Sequence, residues 1–229
     1  MFPFFAYARI CCHEIVVKLR RLSSQTYHYL IMDIVVVPYD PAWPKHFRAV
    51  EADLASDLAL YHAEYISIEH VGSTSVPDLA AKPILDIAIV IADATKFERV
   101  HYALIWGERQ GGYRHIGNGG VEGRWSFKLY NILPQRNLYV VLKDSMVLRS
   151  YLDLRETLRA DPALRDEYGE LKMKLAQQEW NDVMEYATAK NGMIRKILLK
   201  AGWTQDEIDE KERRAVKSWF GASQNGEVY

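Results

Sequence analysis

The spacing of apolar side chains changes character once along this chain, near residue 145. Before that point, short alternating or unbroken apolar runs predict strands. After it, apolar residues recur every three to four positions, as on one face of a helix. The β-branched run at 34–37 predicts a first strand, and Asp40 with Pro41 reads as the cap and first turn of a helix. Phe47, Val50, Leu54 and Leu58 form that helix's apolar stripe. Tyr65 to Val71 alternates as a strand, with Ile66 and Ile68 on one face. Residues 84–91 are apolar almost throughout, as expected of a central strand covered on both faces. A helix is predicted from Lys96 to Gln110, followed by a glycine-rich loop. Arg124, Ser126, Lys128 and Tyr130 alternate with Trp125, Phe127 and Leu129, and a further strand begins at Asn137. From Met146 onward, Leu148, Tyr151, Leu152, Leu164, Tyr168, Leu171 and Leu175 mark amphipathic helices. Val183, Tyr186, Ile194 and Ile197 extend the pattern, and a polar helix with a tail follows from Thr204. The pattern predicts an α+β chain. A mixed sheet occupies 34–143, helices occupy 146–200, and a C-terminal helix and tail occupy 201–229, with no linker between them.

Charge adds little direction. The 29 basic and 30 acidic residues balance, so neither nucleic acid nor an anionic membrane is expected as a partner. The cysteines, Cys11 and Cys12, are adjacent and bridge poorly, which favours a reducing, cytoplasmic setting. Residues 1–31 read as an N-terminal extension before the readable pattern starts at Met32. Its apolar start precedes its basic cluster, the reverse of a secretory signal, and Arg9, His13 and Glu14 interrupt any membrane span.

One stretch, HVGSTSVPDLAAKPILDIAIVI from His70 to Ile91, carries candidate chemistry. A strand ending in Gly72, Ser73, Thr74 and Ser75 lets backbone N–H groups and hydroxyls converge on a phosphate. Asp86 stands inside the apolar strand that follows, and a buried, uncompensated carboxylate costs several kcal/mol. Something must compensate. Magnesium is one candidate, because it shares itself between carboxylates and substrate phosphates. Pairing of Asp86 with Lys82, Arg124 or a backbone amide is the alternative, and a hydroxyl-capped turn is the alternative for the serines and threonine. Arg124 and Lys128 share a strand face able to meet an anionic substrate. A serine hydrolase built on Ser73 and His70 is excluded by the absence of a G-x-S-x-G elbow. A Walker-type loop is excluded because no Gly-Lys-Ser/Thr follows the turn.

With YDPAWPKHF, IEHVGSTSVPDLAAKPILDI, LRSYL, EYGELKMKLA and YATAKNGMI, the chain resembles the GrpB family over about residues 34–200. That family belongs to the nucleotidyltransferase-like superfamily, which includes DNA polymerase beta and kanamycin nucleotidyltransferase. The resemblance implies a small mixed sheet with flanking helices, a Gly-Ser turn that cradles a nucleoside triphosphate, and strand acids that hold metal. Asp86 is then the catalytic metal ligand, with Ser73 and Thr74 on the triphosphate and Lys82 or Arg124 on the leaving phosphate. Glu69 and His70 belong to the same motif, and Arg149, Lys172, Tyr186 and Lys190 recur in the helical part. The chain departs from the two-metal pattern, since Ile84 and Ala88 stand where a second acid would be. A second departure is Asn137-Leu138-Tyr139, where the family usually carries His-x-His; Glu122 is a candidate substitute acid. Two functions are implied. One is magnesium-dependent transfer of a nucleotidyl group to a small-molecule or protein hydroxyl. The other is binding of a nucleotide or other phosphorylated small molecule, as a module linked to coenzyme A metabolism, since GrpB-like domains occur fused to dephospho-coenzyme A kinase.

Overall fold

A computed structural model of the chain describes residues 16–18, 31–118, 121–180 and 183–224. Strands β1 (Val16–Lys18) and β2 (Ile31–Asp33) pair antiparallel. The main sheet has five strands: β3 (Ser67–Val71), β4 (Leu85–Ile91), β5 (Arg114–His115), β6 (Arg124–Lys128) and β7 (Arg136–Leu142). Their order is β3-β4-β7-β6-β5, with β4 and β7 parallel and the other pairs antiparallel. The sheet is therefore mixed, as predicted, and β4 is an interior strand, between β3 and β7, with helices over both faces.

Alternation along β4 divides the core. Ile87, Ile89 and Ile91 pack beneath α1 (Trp43–Leu60) and α2 (Phe97–Trp106), against Leu54, Leu58 and Leu104. Ala88 and Val90 face the other way and meet Val71, Val141, Val147 and Leu148, the last two from α3 (Met146–Ala160). Asp86 shares this second face by the same period of two. Asp161 ends α3 and begins α4 (Pro162–Leu175): its carboxylate accepts the Leu164 N–H at 3.0 Å, and Pro162 occupies the first turn. Helices α5 (Val183–Thr188), α6 (Asn191–Lys200) and α7 (Gln205–Gln224) complete the helical part. Among the described residues no helix is long and apolar enough to cross a membrane.

Several predicted boundaries move for visible reasons. The strand expected at 34–37 reduces to a single bridge between Val37 and Ala81. Ile34 and Val36 pack instead on Leu175 and Tyr186 of the helical part. Helix α1 begins at Trp43, two residues late, because the Asp40 carboxylate accepts the Ala42 N–H at 2.8 Å and closes a separate turn first. Ile66 lies outside β3 and is exposed. Helix α2 stops at Trp106 rather than Gln110, because Asp57 captures the N–H groups of Arg109 and Gln110 at 3.0 and 2.6 Å. Of the proposed extension, residues 16–18 pair with β2; the rest of 1–30, and the last five residues of the tail, lie outside the described residues.

Candidate functional site

The Gly-Ser turn is shaped by its contact with Asp86. Val71, the last residue of β3, lies in register opposite Asp86, and Gly72 follows with φ of 67°. A Cβ at Gly72 would overlap the Asp86 carboxylate. Both the positive φ and the close approach demand glycine. Gly72→Ala is therefore expected to cost about 3 kcal/mol or more of unfolding free energy, readable as a lowered denaturant midpoint.

The turn itself uses two of its three hydroxyls. Ser75 Oγ donates to the Gly72 carbonyl at 2.6 Å. Thr74 Oγ1 donates to the Ile84 carbonyl at 3.3 Å and lies 3.0 Å from His70 Nε2. Both side chains are buried, so their hydroxyls brace the turn. Ser73 is half-buried and lies close to Tyr168 of the helical part. Two arginines of α3 clamp the turn from above. Arg159 Nη2 donates to the Ser75 carbonyl at 2.7 Å, and Arg155 Nη1 donates to Glu69 Oε2 and the His70 carbonyl, both at 2.9 Å. His70 stacks on Phe47 with centroids 4.7 Å apart. Burial first, then the charges of Arg159 and Arg155, hold its pKa down to about 4, so it is neutral at pH 7. Glu69 and His70, candidates for direct chemistry, thus serve the scaffold.

Asp86 is half-buried between the sheet and the helical part. Strand register sets its neighbours. Asn137 of β7 is its partner across the parallel pair, and Lys128 of β6 is the partner of Asn137. The side chains follow: Lys128 Nζ donates to Asn137 Oδ1 at 2.6 Å, and Asn137 Nδ2 donates to Asp86 Oδ1 at 2.8 Å. Tyr139, two residues along β7, lies close by, and burial and the Asp86 charge raise its phenol well above the ordinary tyrosine range. Burial raises the Asp86 carboxyl above the usual carboxylate range, opposed by the Asn137 hydrogen bond and by Lys82, Lys128 and Lys190. Arg124 lies over the Tyr139 ring at 5.1 Å and donates to the Tyr151 hydroxyl at 2.8 Å. Asn137 therefore fixes the carboxylate by a hydrogen bond, with Tyr139 packed beside it.

The opposite wall is helical and basic. Tyr168 and Lys172 are four residues apart on α4 and so share a face. Lys172 Nζ stands 4.3 Å from the Tyr168 ring centroid, is buried, and has no hydrogen-bond partner. Burial first, then Lys190, drive its ammonium well below the ordinary lysine range, against the pull of Asp86. Lys190, at the start of α6, lies 4.3 Å over the Tyr186 ring, and Lys82 approaches the same ring at 5.7 Å. Burial and Lys82 lower Lys190 to about 8. Burial also lowers Lys82, while Asp86 opposes it. On the sheet side the Ser126 hydroxyl, between Arg124 and Lys128, is likewise buried without a partner.

The structure thus brings Gly72, Ser73, Lys82, Asp86, Arg124, Lys128, Asn137, Tyr139 and Lys190 around one recess. Arg149 is not there. It pairs with Glu207 at 2.6 Å and stacks on Trp203 at 4.3 Å, fastening α3 to α7. Glu122 is exposed and paired with Arg214 at 2.7 Å, and supplies no second acid to Asp86. Tyr151 and Tyr168, which sequence periodicity assigned to core, belong to the recess. Lys172 does too, and it carried a signal: it lies eight residues after Leu164 and four after Tyr168, on the apolar stripe of its helix.

The magnesium ion implied by the resemblance does not fit this donor set. Among the described residues no three His, Cys, Asp or Glu side chains converge to hold a metal. Asp86, the one carboxylate there among the described residues, faces Lys82, Lys128 and Lys190, whose charges repel a second cation and attract an anion.

Comparison with known proteins places this architecture. A family model described as GrpB protein matches residues 33–200. The chain is 35% identical over 178 residues to the UPF0157 protein BH1888 of Halalkalibacterium halodurans, covering 75% of this chain and 84% of that one. It is similar to the crystal structure of GrpB from Enterococcus faecalis, with a TM-score of 0.58 and 30% identity over 73% of this chain and 96% of that one. A structure of a cytoplasmic RNA terminal U-transferase overlaps more slightly, at a TM-score of 0.35 and 14% identity over 60% of this chain and 42% of that one, too little to bear on activity. The match across most of the chain, with the Asp86 recess inside it, leads to one assignment: the chain belongs to the GrpB family.

Proposed function

We propose that this protein binds a polyphosphorylated small molecule, with a nucleoside triphosphate as the leading case, in the recess around Asp86. The observation that carries the reading is the excess of cations over anions there among the described residues. Lys172 is buried without a partner, and Lys82, Lys128 and Lys190 face the same single carboxylate. Burying several ammonium groups against one carboxylate is unfavourable unless a ligand supplies negative charge. In this reading Lys82, Lys172 and Lys190 take phosphate oxygens, and the Ser73 hydroxyl adds a neutral donor. The chain of Lys128, Asn137 and Asp86 holds the floor rigid. Two-metal nucleotidyl transfer needs two or three convergent carboxylates. Asp86 without a second acid favours binding over that transfer.

A thermal-shift series tests this with ATP, GTP, CTP, UTP, dephospho-coenzyme A and inorganic tripolyphosphate, each in EDTA and in magnesium. A ligand at a hundredfold excess over its Kd adds about 2.7 kcal/mol, a Tm rise of roughly 5–10 °C for a chain of this size. The expected result is such a rise with at least one polyphosphate in EDTA. No rise with any of them, or a rise that needs magnesium, overturns the proposal.

A pH dependence follows from the depressed lysines. Lys190, with a pKa of about 8 against an ordinary 10.5, holds fewer protons in the folded protein than in the unfolded chain between those values. Stability of the free protein therefore rises with pH across that window. A polyanion reverses the preference by stabilising the charged form. Its affinity is expected to fall as pH rises through about 8, with net proton uptake on binding near that pH. Titration calorimetry in two buffers of different ionisation enthalpy reads the uptake directly.

A further inference from the structure

The phosphate-binding lysines leave Ser126 of β6 without a role. Its side chain is 6% exposed. Its backbone is paired: the N–H donates to the Gly117 carbonyl at 2.7 Å, and the carbonyl accepts the Ile116 N–H at 2.9 Å. The hydroxyl alone has no hydrogen-bond partner among the described residues. Alanine would fill the same place without burying an unpaired polar group, so a hydroxyl there points to a partner from outside the chain.

Strand register fixes where that partner meets it. The period of two along β6 puts Ser126 on the same sheet face as Lys128. Lys128, Asn137 and Asp86 form one row across β6, β7 and β4. Ser126, Tyr139 and Ala88 form the next row, about 7 Å further along the strands. Tyr139 and Tyr151 are half-buried, with ring centroids 5.8 Å apart. The cations on either side of Ser126 along β6 are engaged. Lys128 donates to Asn137 at 2.6 Å, and Arg124 donates to the Tyr151 hydroxyl at 2.8 Å and the Asn118 carbonyl at 3.0 Å. What this row offers a ligand is a hydroxyl, able to donate and accept, beside phenol rings. A neutral, hydroxyl-bearing group on a partly apolar frame matches that lining better than a further phosphate does.

We propose that Ser126 is a specificity-determining residue of the recess, whose hydroxyl pairs with a sugar hydroxyl of the ligand one row away from the phosphates. The proposal rests on the recess being the polyphosphate site, and its test separates the two. ATP, dideoxy-ATP (which lacks both ribose hydroxyls) and inorganic tripolyphosphate are titrated calorimetrically, in EDTA, into the full-length protein and into Ser126→Ala. The unaltered protein is expected to prefer ATP to dideoxy-ATP about fivefold, the scale of one neutral hydrogen bond. In Ser126→Ala the two should bind within about twofold of each other, because a site without the hydroxyl cannot tell them apart. Tripolyphosphate should bind both proteins alike, and the free variant should melt no lower than the unaltered protein. Equal affinity for ATP and dideoxy-ATP in the unaltered protein, or a preference that survives in Ser126→Ala, would overturn the assignment of Ser126. A lowered melting temperature with all three ligands weakened alike would show a structural role and overturn it too. Tripolyphosphate binding alongside any of these results leaves the polyphosphate reading standing, whereas failure of all three ligands to bind overturns both.

Discussion

Replacing Lys172 by methionine is expected to stabilise the free protein and to disable it. The side chains are close in length and shape, so the exchange removes the charge without opening a cavity. Lys172 Nζ has no hydrogen-bond partner, and relief of a buried unsatisfied polar group is worth about 1–3 kcal/mol. The melting temperature of the free variant should rise by several degrees. Polyphosphate binding should weaken at least about 30-fold, since truncating a buried charged contact costs about 2 kcal/mol or more. Thermal melts and calorimetric titration on one sample read both effects. A lysine kept only for structure gives the opposite pair, a lowered melting temperature with binding intact. Opposed movement of stability and affinity marks a group held in place for its ligand.

The second large effect is at Asp86. Asp86→Asn preserves size and removes the negative charge that Lys82, Lys128 and Lys190 face. The free protein is expected to lose about 3 kcal/mol, as when one partner of a buried charge set is removed. Polyphosphate should then bind about tenfold more tightly, because the lysines no longer share their field with a carboxylate. If Asp86 held a metal through which phosphates bound, the same variant would lose affinity. The sign of the change decides between the two roles.

Much of this architecture could be read from periodicity. The alternation in β6 and the unbroken run in β4 name their strands, because burial on one face or on both leaves a direct trace in sequence. The stripe of α1 and the helical character after residue 145 were equally legible. The strand expected at 34–37 was not, because its β-branched residues pack on helices some 140 positions later rather than on the sheet. The end of α2 depended on Asp57 reaching across from α1, a contact no local window contains.

In the recess, Gly72 and Asp86 were visible as a turn and an acid at fixed separation, and Asn137, Tyr139, Lys82, Lys128 and Lys190 were candidates. What sequence could not supply was the assignment of duties. Thr74 and Ser75 were equal to Ser73 as phosphate donors until their hydroxyls proved to close the turn. Arg149 looked like Lys190, a basic residue on a helix, until it paired with Glu207 on the far side of α3. Lys172 was named beside Arg149 and Lys190, but its burial was not legible, because a lysine among leucines reads as a solvated edge unless its angular position on the helix is checked against the stripe.

The account stands on ammonium groups, not a metal, being what gathers negative charge to this recess. Calorimetric titration of ATP into the native protein, once in excess EDTA and once in magnesium chloride, tests that most directly. The account predicts binding of one nucleotide per chain in EDTA, with affinity no weaker than in magnesium. Heat of binding that appears only when magnesium is present would contradict it.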